Sequence, residues 1–212
     1  MRLKITILLL AATGLIVAAG PANAAAQPSA EDCGAVRLTS DLPAPPAGKI
    51  ARRAVSIGAN CRIVRGPVEF VTAPAVNAFD ATATYHTSSE MYDCCRILMT
   101  ALYTDSTVST SGGMVTDSST TMSTHHNREP WNAGWSVTAT STSGGCRAEC
   151  AAATYAGHAE FSYRGIFDPT GTYYANVHDT SVVLNGDGSA TCTEAVQLRH
   201  SFIGWNWQHT CA

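Results

Sequence analysis

The chain has 212 residues, of which 13 are Lys or Arg and 16 are Asp or Glu, and 45% of its residues are apolar. Charged residues make up only 14% of the chain, without the basic excess that binds nucleic acid or an anionic membrane, so we expect neither partner. The apolar fraction excludes a disordered chain and indicates a folded protein. Only Lys4 and Lys49 are lysines, a bias that is typical of GC-rich bacterial genomes.

Residues 1–24 have the pattern of a secretory signal peptide. A positively charged start with Arg2 and Lys4 precedes the apolar run 5–19, and Ala22 and Ala24 supply the small residues of a cleavage site. The apolar run is shorter than the ~20 residues that a membrane-spanning helix needs. We therefore expect a secreted, extracellular protein without membrane contact after cleavage. Its mature length of 212 − 24 = 188 residues suits a single domain.

Residues 25–49 are rich in Ala and Pro and show no hydrophobic period, which predicts an extended arm rather than a strand. Residues 50–212 are expected to form a single β-rich domain. Within it, the run 93–108 is apolar on both sides, which predicts a strand buried on both faces, with a short helix as the alternative. The run 114–124 is rich in Ser, Thr and Met and has little to bury, so we expect it at a sheet edge.

The strongest pattern lies in the C-terminal third of the chain. From Tyr155 to Phe167 small or apolar residues alternate with polar ones, and the segment 168–171 has the composition of a tight turn. Runs at 172–184, 189–200 and 205–211 complete a predicted four-strand antiparallel meander. If Asp168 pairs with Thr172, both His158 and His178 lie on its polar face.

These elements together predict an all-β fold, a disulfide-stabilised antiparallel β-sandwich or barrel with a C-terminal meander. All eight cysteines follow the predicted cleavage site, and an even number in an exported chain predicts up to four disulfides and no reactive thiol. Partners cannot be assigned from the sequence for Cys33, Cys61, Cys94, Cys95, Cys146 and Cys150.

One disulfide follows from matching two apolar faces. Even positions of 189–202 and odd positions of 205–211 are apolar, and the register that brings these faces together pairs Cys192 with Cys211. The same register places Glu194 opposite His209. This acidic–basic pair is either a charge-assisted contact at the margin of the core or a site, and we favour the structural role.

Metal and cofactor motifs are missing from the sequence. Cys146 and Cys150 lack the second cysteine pair that a zinc site usually contains. Adjacent cysteines, such as Cys94 and Cys95, cannot provide that pair, and on a strand they point to opposite faces. No CxxC, phosphate-loop or calcium-loop motif occurs. We therefore expect neither a metal nor another cofactor.

The segment His125 to Trp131 has the densest set of reactive side chains. His125, His126 and Glu129 could hold a metal or perform acid–base chemistry. However, adjacent histidines on a strand diverge, and the spacing matches no zinc-protease motif. An exposed polar loop with Trp131 packed beneath it is the favoured interpretation.

Trp205 and Trp207 share one face of the last strand. If exposed, such a pair stacks on sugar rings or anchors a protein partner. If buried, it belongs to the core, and we favour burial because Cys211 lies on the same face.

The sequence thus predicts a monomeric, secreted, non-catalytic binding or interaction module whose partner is an extracellular protein or polysaccharide. Two alternatives are an exported hydrolase with its site at His125, His126 and Glu129, and an inhibitor of an extracellular enzyme that presents a crosslinked loop. The geometry of the folded protein distinguishes the binding module from the hydrolase. Exposed Trp205 and Trp207 favour binding, whereas His125 and Glu129 converging in a deep cleft favour an enzyme.

Overall fold

The computed structural model describes residues 32–40, 42–46, 48–72, 82–130, 133–146 and 149–211. The predicted signal peptide at 1–24 and the proposed packing of Trp131 lie outside the described residues. Within them, no helix has the length and apolar character needed to cross a membrane.

The described chain is built almost entirely of β-strands, which confirms the predicted all-β class. A short 3-10 turn, Ala59–Cys61, lies between β2 and β3. The strands are β1 (Val36–Thr39), β2 (Lys49–Ile57), β3 (Ile63–Arg65), β4 (Glu69–Thr72), β5 (Thr82–Tyr92), β6 (Leu98–Ser111), β7 (Met114–His126), β8 (Gly134–Gly145), β9 (Ala152–Arg164), β10 (Ala175–Asn185), β11 (Ala190–Leu198) and β12 (Asn206–Cys211).

Two antiparallel sheets pack face to face as a sandwich. The first sheet has the order β1-β11-β10-β9-β8, and the second has the order β3-β2-β12-β5-β6-β7, with β4 also pairing with β2. The run rich in Ser and Thr forms β7 at the edge of the second sheet, as predicted. β6 is largely buried and begins at Leu98.

Alternation of buried and exposed residues fixes which face of each strand turns inward. β12 buries Trp207, His209 and Cys211 and exposes Gln208 between them. Phe161 of β9 reaches the same core from the other sheet, and both Phe161 and Trp207 are at most 1% exposed. Full burial of one large apolar side chain stabilises the fold by about 1.5–3 kcal/mol.

The last strand departs from the predicted meander. β9, β10 and β11 are neighbours in the first sheet, but β12 lies in the second sheet between β2 and β5. The segment 199–205 therefore crosses between the sheets instead of closing a hairpin. In a hairpin and in a crossing between sheets alike, the even-numbered residues of β11 face the odd-numbered residues of β12. The apolar pattern alone therefore does not distinguish the two arrangements.

The arm at 25–49 is also more ordered than predicted in the part that is described. Val36–Thr39 forms β1, which pairs with the edge of β11 and buries Leu38. A disulfide between Cys33 and Cys61 attaches the start of this segment to the second sheet, with Cα atoms 5.3 Å apart.

The β9–β10 connection is wider than the predicted tight turn. Asp168 is buried, and its carboxylate accepts hydrogen bonds from the backbone N–H groups of Gly171, Tyr173 and Tyr174 at 2.9, 2.7 and 3.1 Å. Pairing resumes only at Ala175. The pairing of β9 with β10 is therefore shifted by an odd number of residues from the predicted register, which turns His178 to the opposite face of the sheet. The prediction that His178 lies on the polar face is wrong.

The two histidines of this hairpin consequently have different surroundings. His178 pairs with Ala159 and is fully buried, whereas His158 stays on the outer face and pairs with Asp179. The His158 Nδ1 lies 2.7 Å from the Asp179 carboxylate. His158 therefore belongs to the solvated face, as predicted.

Candidate functional site

Cys192 and Cys211 form a disulfide that joins the two sheets across the core. Their Cα atoms are 5.8 Å apart, and the predicted pairing is confirmed. The two cysteines face each other from β11 in one sheet and β12 in the other, not from adjacent strands.

Glu194 and His209 meet beside this disulfide, as the matched faces predict. The His209 Nδ1 is 3.1 Å from Glu194 Oε2, and neither side chain is exposed. Burial raises the pKa of the Glu194 carboxyl, which favours the neutral acid. A neutral acid can donate its O–H to the imidazole nitrogen. Both side chains are enclosed in the core, which favours the structural role.

Trp207 is fully buried within the same layer. Its indole N–H donates to Ser89 Oγ at 2.9 Å, and its ring stacks on His209 with centroids 4.0 Å apart. Trp205 is 7% exposed and is among the residues that line a cavity described below. Burial of both indoles agrees with the favoured interpretation.

The candidate hydrolase residues do not converge. His125 and His126 pair with Ala101 and Thr100 of β6, and because they are adjacent in a strand their side chains point to opposite faces. Burial and the nearby Arg128 lower the pKa of His126. Among the described residues, no three His, Cys, Asp or Glu side chains are grouped closely enough to hold a metal ion.

A cavity of about 450 Å³ opens at the end of the sandwich where four connections meet. Residues on its wall come from the β5–β6, β7–β8, β9–β10 and β11–β12 connections and from the adjoining strand ends. We call it the end cavity. Its volume lies in the range of roughly 300–1,000 Å³ that is common for small-molecule sites. The described residues that line it are Asp93, Cys94, Ile97, Met99, Asn127, Glu129, Trp135, Tyr163, Phe167, Tyr174, Phe202, Ile203 and Trp205.

A continuous row of aromatic rings forms part of this wall. Neighbouring ring centroids in the row are 5.7, 6.0, 5.8 and 5.6 Å apart, and most of the rings meet edge to face or at a tilt. Such spacings are those of favourable aromatic pairs. In spatial order, the rings belong to Trp135, Tyr163, Tyr174, Phe202 and Trp205. We call this set the aromatic row.

Two carboxylates are held at fixed places on the wall. Glu129 Oε2 accepts a hydrogen bond from the Tyr163 hydroxyl at 3.1 Å. Desolvation, and then this hydrogen bond, raises the pKa of Tyr163 to about 12, so the phenol stays protonated and donating. Asp93 Oδ1 accepts from the backbone N–H groups of Cys95 and Ile97, both at 2.8 Å, and thereby orders the β5–β6 turn.

Cys94 and Cys95 contradict the prediction that every cysteine is paired. They lie in the β5–β6 turn before the strand begins, so their side chains do not diverge, and their Sγ atoms are 3.5 Å apart. Both are free and exposed, whereas Cys146 and Cys150 form the third disulfide. The hydrogen bond with Cys95, and then desolvation, raises the pKa of Cys94, which keeps this thiol protonated and weakly nucleophilic.

Thiol labelling will test the cysteine assignment. We expect alkylation of the denatured, unreduced mature protein to modify two cysteines, both in the peptide that contains Cys94 and Cys95, because the other six are in disulfides. After reduction, all eight cysteines will react. Labelling at any other cysteine, or none before reduction, would contradict the assignment.

No protein-family model matches the chain, and neither does any curated protein or solved structure. The fold and its cavity define the chain as an all-β, disulfide-crosslinked sandwich with an aromatic cavity at one end.

Sequence reasoning identified Glu129 and Trp205 as candidates but missed most of the end cavity. The available signal was the placement of aromatic residues next to turns, as in Tyr173-Tyr174 and at Phe202. It is weak because these residues come from separate connections, and only the folded sandwich brings them together.

Proposed function

We propose that this chain is a secreted, non-catalytic binding module whose end cavity takes up a small, largely apolar molecule. The observation that carries the proposal is the aromatic row beside a cavity of about 450 Å³. Sites for small molecules are typically concave and mostly apolar, with a few fixed polar groups. Asn127 and Glu129 supply such groups here.

The wall of the end cavity is supported by rigid parts of the fold. Trp135 and Tyr163 belong to β8 and β9 and are at most 6% exposed. Tyr174 follows the loop that the buried Asp168 carboxylate holds through three backbone N–H groups. A preformed wall binds a ligand with little loss of side-chain entropy, which favours a binding role.

A binding module is preferred over the hydrolase because the candidate acid–base residues do not come together in one cleft. Glu129 lines the end cavity, but His125 and His126 do not. A small ligand is preferred over a polysaccharide because Trp207 is fully buried and Trp205 borders only the end cavity, so the two indoles do not form an exposed flat face for a chain of sugars.

Secretion is part of the proposal. It is supported by the signal-peptide pattern of residues 1–24 and by three disulfides, since disulfides form and persist in oxidising compartments. The mature protein beginning near Ala25 is therefore the form to test.

Fluorescence titration with N-phenyl-1-naphthylamine, a neutral aromatic probe, tests the proposal. We expect saturable one-to-one binding by the mature protein, because the probe fills an apolar cavity. Ile97→Trp places a larger side chain on the cavity wall and should weaken binding by about tenfold or more, which corresponds to ~1.4 kcal/mol.

Ile63→Trp is the matched control. Ile63 is a half-exposed isoleucine on β3, 40% exposed against 49% for Ile97, and it does not line the end cavity. The control should bind the probe as the parent protein does. Absence of saturable binding, or equal loss in both variants, would overturn the proposal.

A further inference from the structure

The charged side chains among the described residues that line the end cavity are both acidic. Asp93 and Glu129 lie on the wall, and no Lys, Arg or His side chain is among the described residues that line it. An anionic ligand would therefore meet two like charges in a partly apolar surrounding, where charge–charge interactions are stronger than in water.

Each of these carboxylates retains an oxygen that can face a ligand. The described hydrogen bonds engage Oδ1 of Asp93 with the turn and Oε2 of Glu129 with Tyr163. Among the described residues, no hydrogen bond engages Asp93 Oδ2 or Glu129 Oε1. Both acids are thus positioned by one oxygen, which leaves the other able to accept a hydrogen bond or an ion pair from a ligand.

The aromatic row, like the two carboxylates, favours a positively charged ligand. The face of an aromatic ring is electron-rich and attracts a cation placed within about 6 Å of its centroid, most strongly for Trp. Trp135 and Trp205 stand at the two ends of the row, with three further rings between them. Aromatic surroundings of this type are suited to cations that carry apolar groups.

We infer that the end cavity binds a small organic cation, an apolar quaternary or tertiary ammonium ion, between the aromatic row and the carboxylates of Asp93 and Glu129. This inference rests on the proposed function of the same cavity. A compact primary ammonium fits less well, because such a group is strongly hydrated and loses more on entering an apolar space.

Three phenyl compounds of similar shape separate the contribution of charge to the binding affinity from that of apolar contact. Phenyltrimethylammonium is the cation, tert-butylbenzene is its neutral isostere, and benzenesulfonate is an anion of comparable size. Displacement of N-phenyl-1-naphthylamine from the mature protein gives the affinity of each. We expect the cation to bind about tenfold or more tightly than tert-butylbenzene, and benzenesulfonate to bind most weakly.

Glu129→Gln tests the carboxylate, because glutamine retains an oxygen for the Tyr163 hydroxyl but removes the charge. It should weaken phenyltrimethylammonium binding by about threefold to tenfold and leave tert-butylbenzene unchanged. Glu90→Gln is the matched control: Glu90 also accepts hydrogen bonds from two tyrosines, Tyr92 and Tyr103, at 2.8 and 3.0 Å, but lies outside the end cavity. It should change neither affinity.

The outcomes distinguish this inference from the proposed function. If tert-butylbenzene binds as tightly as the cation, or if Glu129→Gln weakens both compounds equally, the inferred ligand class is wrong while the binding module stands. If neither these compounds nor the naphthylamine probe binds, the proposed function falls as well.

Discussion

Replacing Cys192 and Cys211 together by Ala is expected to lower the free energy of unfolding by about 3 kcal/mol. The bond closes a loop with a sequence separation of 19 and joins the two sheets directly. Its loss gives the unfolded chain more freedom and leaves the β11–β12 contact to side-chain packing and the Glu194–His209 hydrogen bond. Urea denaturation followed by tryptophan fluorescence measures the change.

The double variant Cys146→Ala with Cys150→Ala is the control, because that disulfide closes a loop with a sequence separation of only 4. Chain entropy predicts a smaller loss of about 2 kcal/mol. An unchanged urea midpoint after removal of the Cys192–Cys211 bond would show that this bond does not hold the sheets together.

Lowering the pH below 6.5 is expected to destabilise the protein through His178. Its imidazole is fully buried, with Nδ1 2.8 Å from Ser89 Oγ and Nε2 2.9 Å from Thr100 Oγ1. Burial lowers the pKa of His178 from 6.5 to about 3. Between these values the unfolded chain binds a proton on this residue and the folded protein does not.

The titration of His178 alone should therefore lower the free energy of unfolding by roughly 4–5 kcal/mol as the pH decreases from 6.5 to about 3. Glu194 acts in the opposite direction: burial raises its pKa, so its contribution is fully present at low pH and is lost as the pH rises. Urea denaturation at several pH values measures the sum over all titrating groups, among which the lowered pKa values of Asp32, Asp168 and Asp187 add to the decrease at low pH.

Comparison with His178→Gln isolates the histidine. This variant should be less stable at pH 7, because the fit of the ring is lost, but should show a smaller decrease in stability below pH 6.5. His125→Gln is the control, since His125 is exposed on β7. Parallel pH curves for the parent and His178→Gln would contradict the assignment.

The sequence predicted the parts of the fold that depend on period-two alternation. The inward positions of β9, the neighbouring strands β9 to β11, and the contacts of Cys192 with Cys211 and Glu194 with His209 all follow from which positions are apolar. These contacts were predicted in a hairpin and are found across the core. Alternation of apolar positions specifies which faces meet, but it does not specify whether the strands are neighbours or lie in opposite sheets.

Other errors came from connections whose length the sequence does not reveal. The buried Asp168 widens the β9–β10 loop and moves His178 from the predicted outer face into the core. Asp93 caps the turn that holds Cys94 and Cys95 together, so the expected divergence of a strand does not apply. In both cases one aspartate side chain sets the backbone path.

The end cavity was beyond sequence reasoning for a related reason. Trp135 and Tyr163 sit at strand ends, while Tyr174 and Phe202 lie in two different connections. No local pattern relates these positions. They become one site only because antiparallel strands return their connections to the same end of the sandwich.

A crystal structure of the mature protein with phenyltrimethylammonium tests most directly whether the end cavity is the binding site. We expect the ligand inside the cavity, with its ammonium group against the aromatic row and within reach of Asp93 or Glu129. Ligand density on another surface, or an empty cavity at a saturating concentration of the compound, would contradict it.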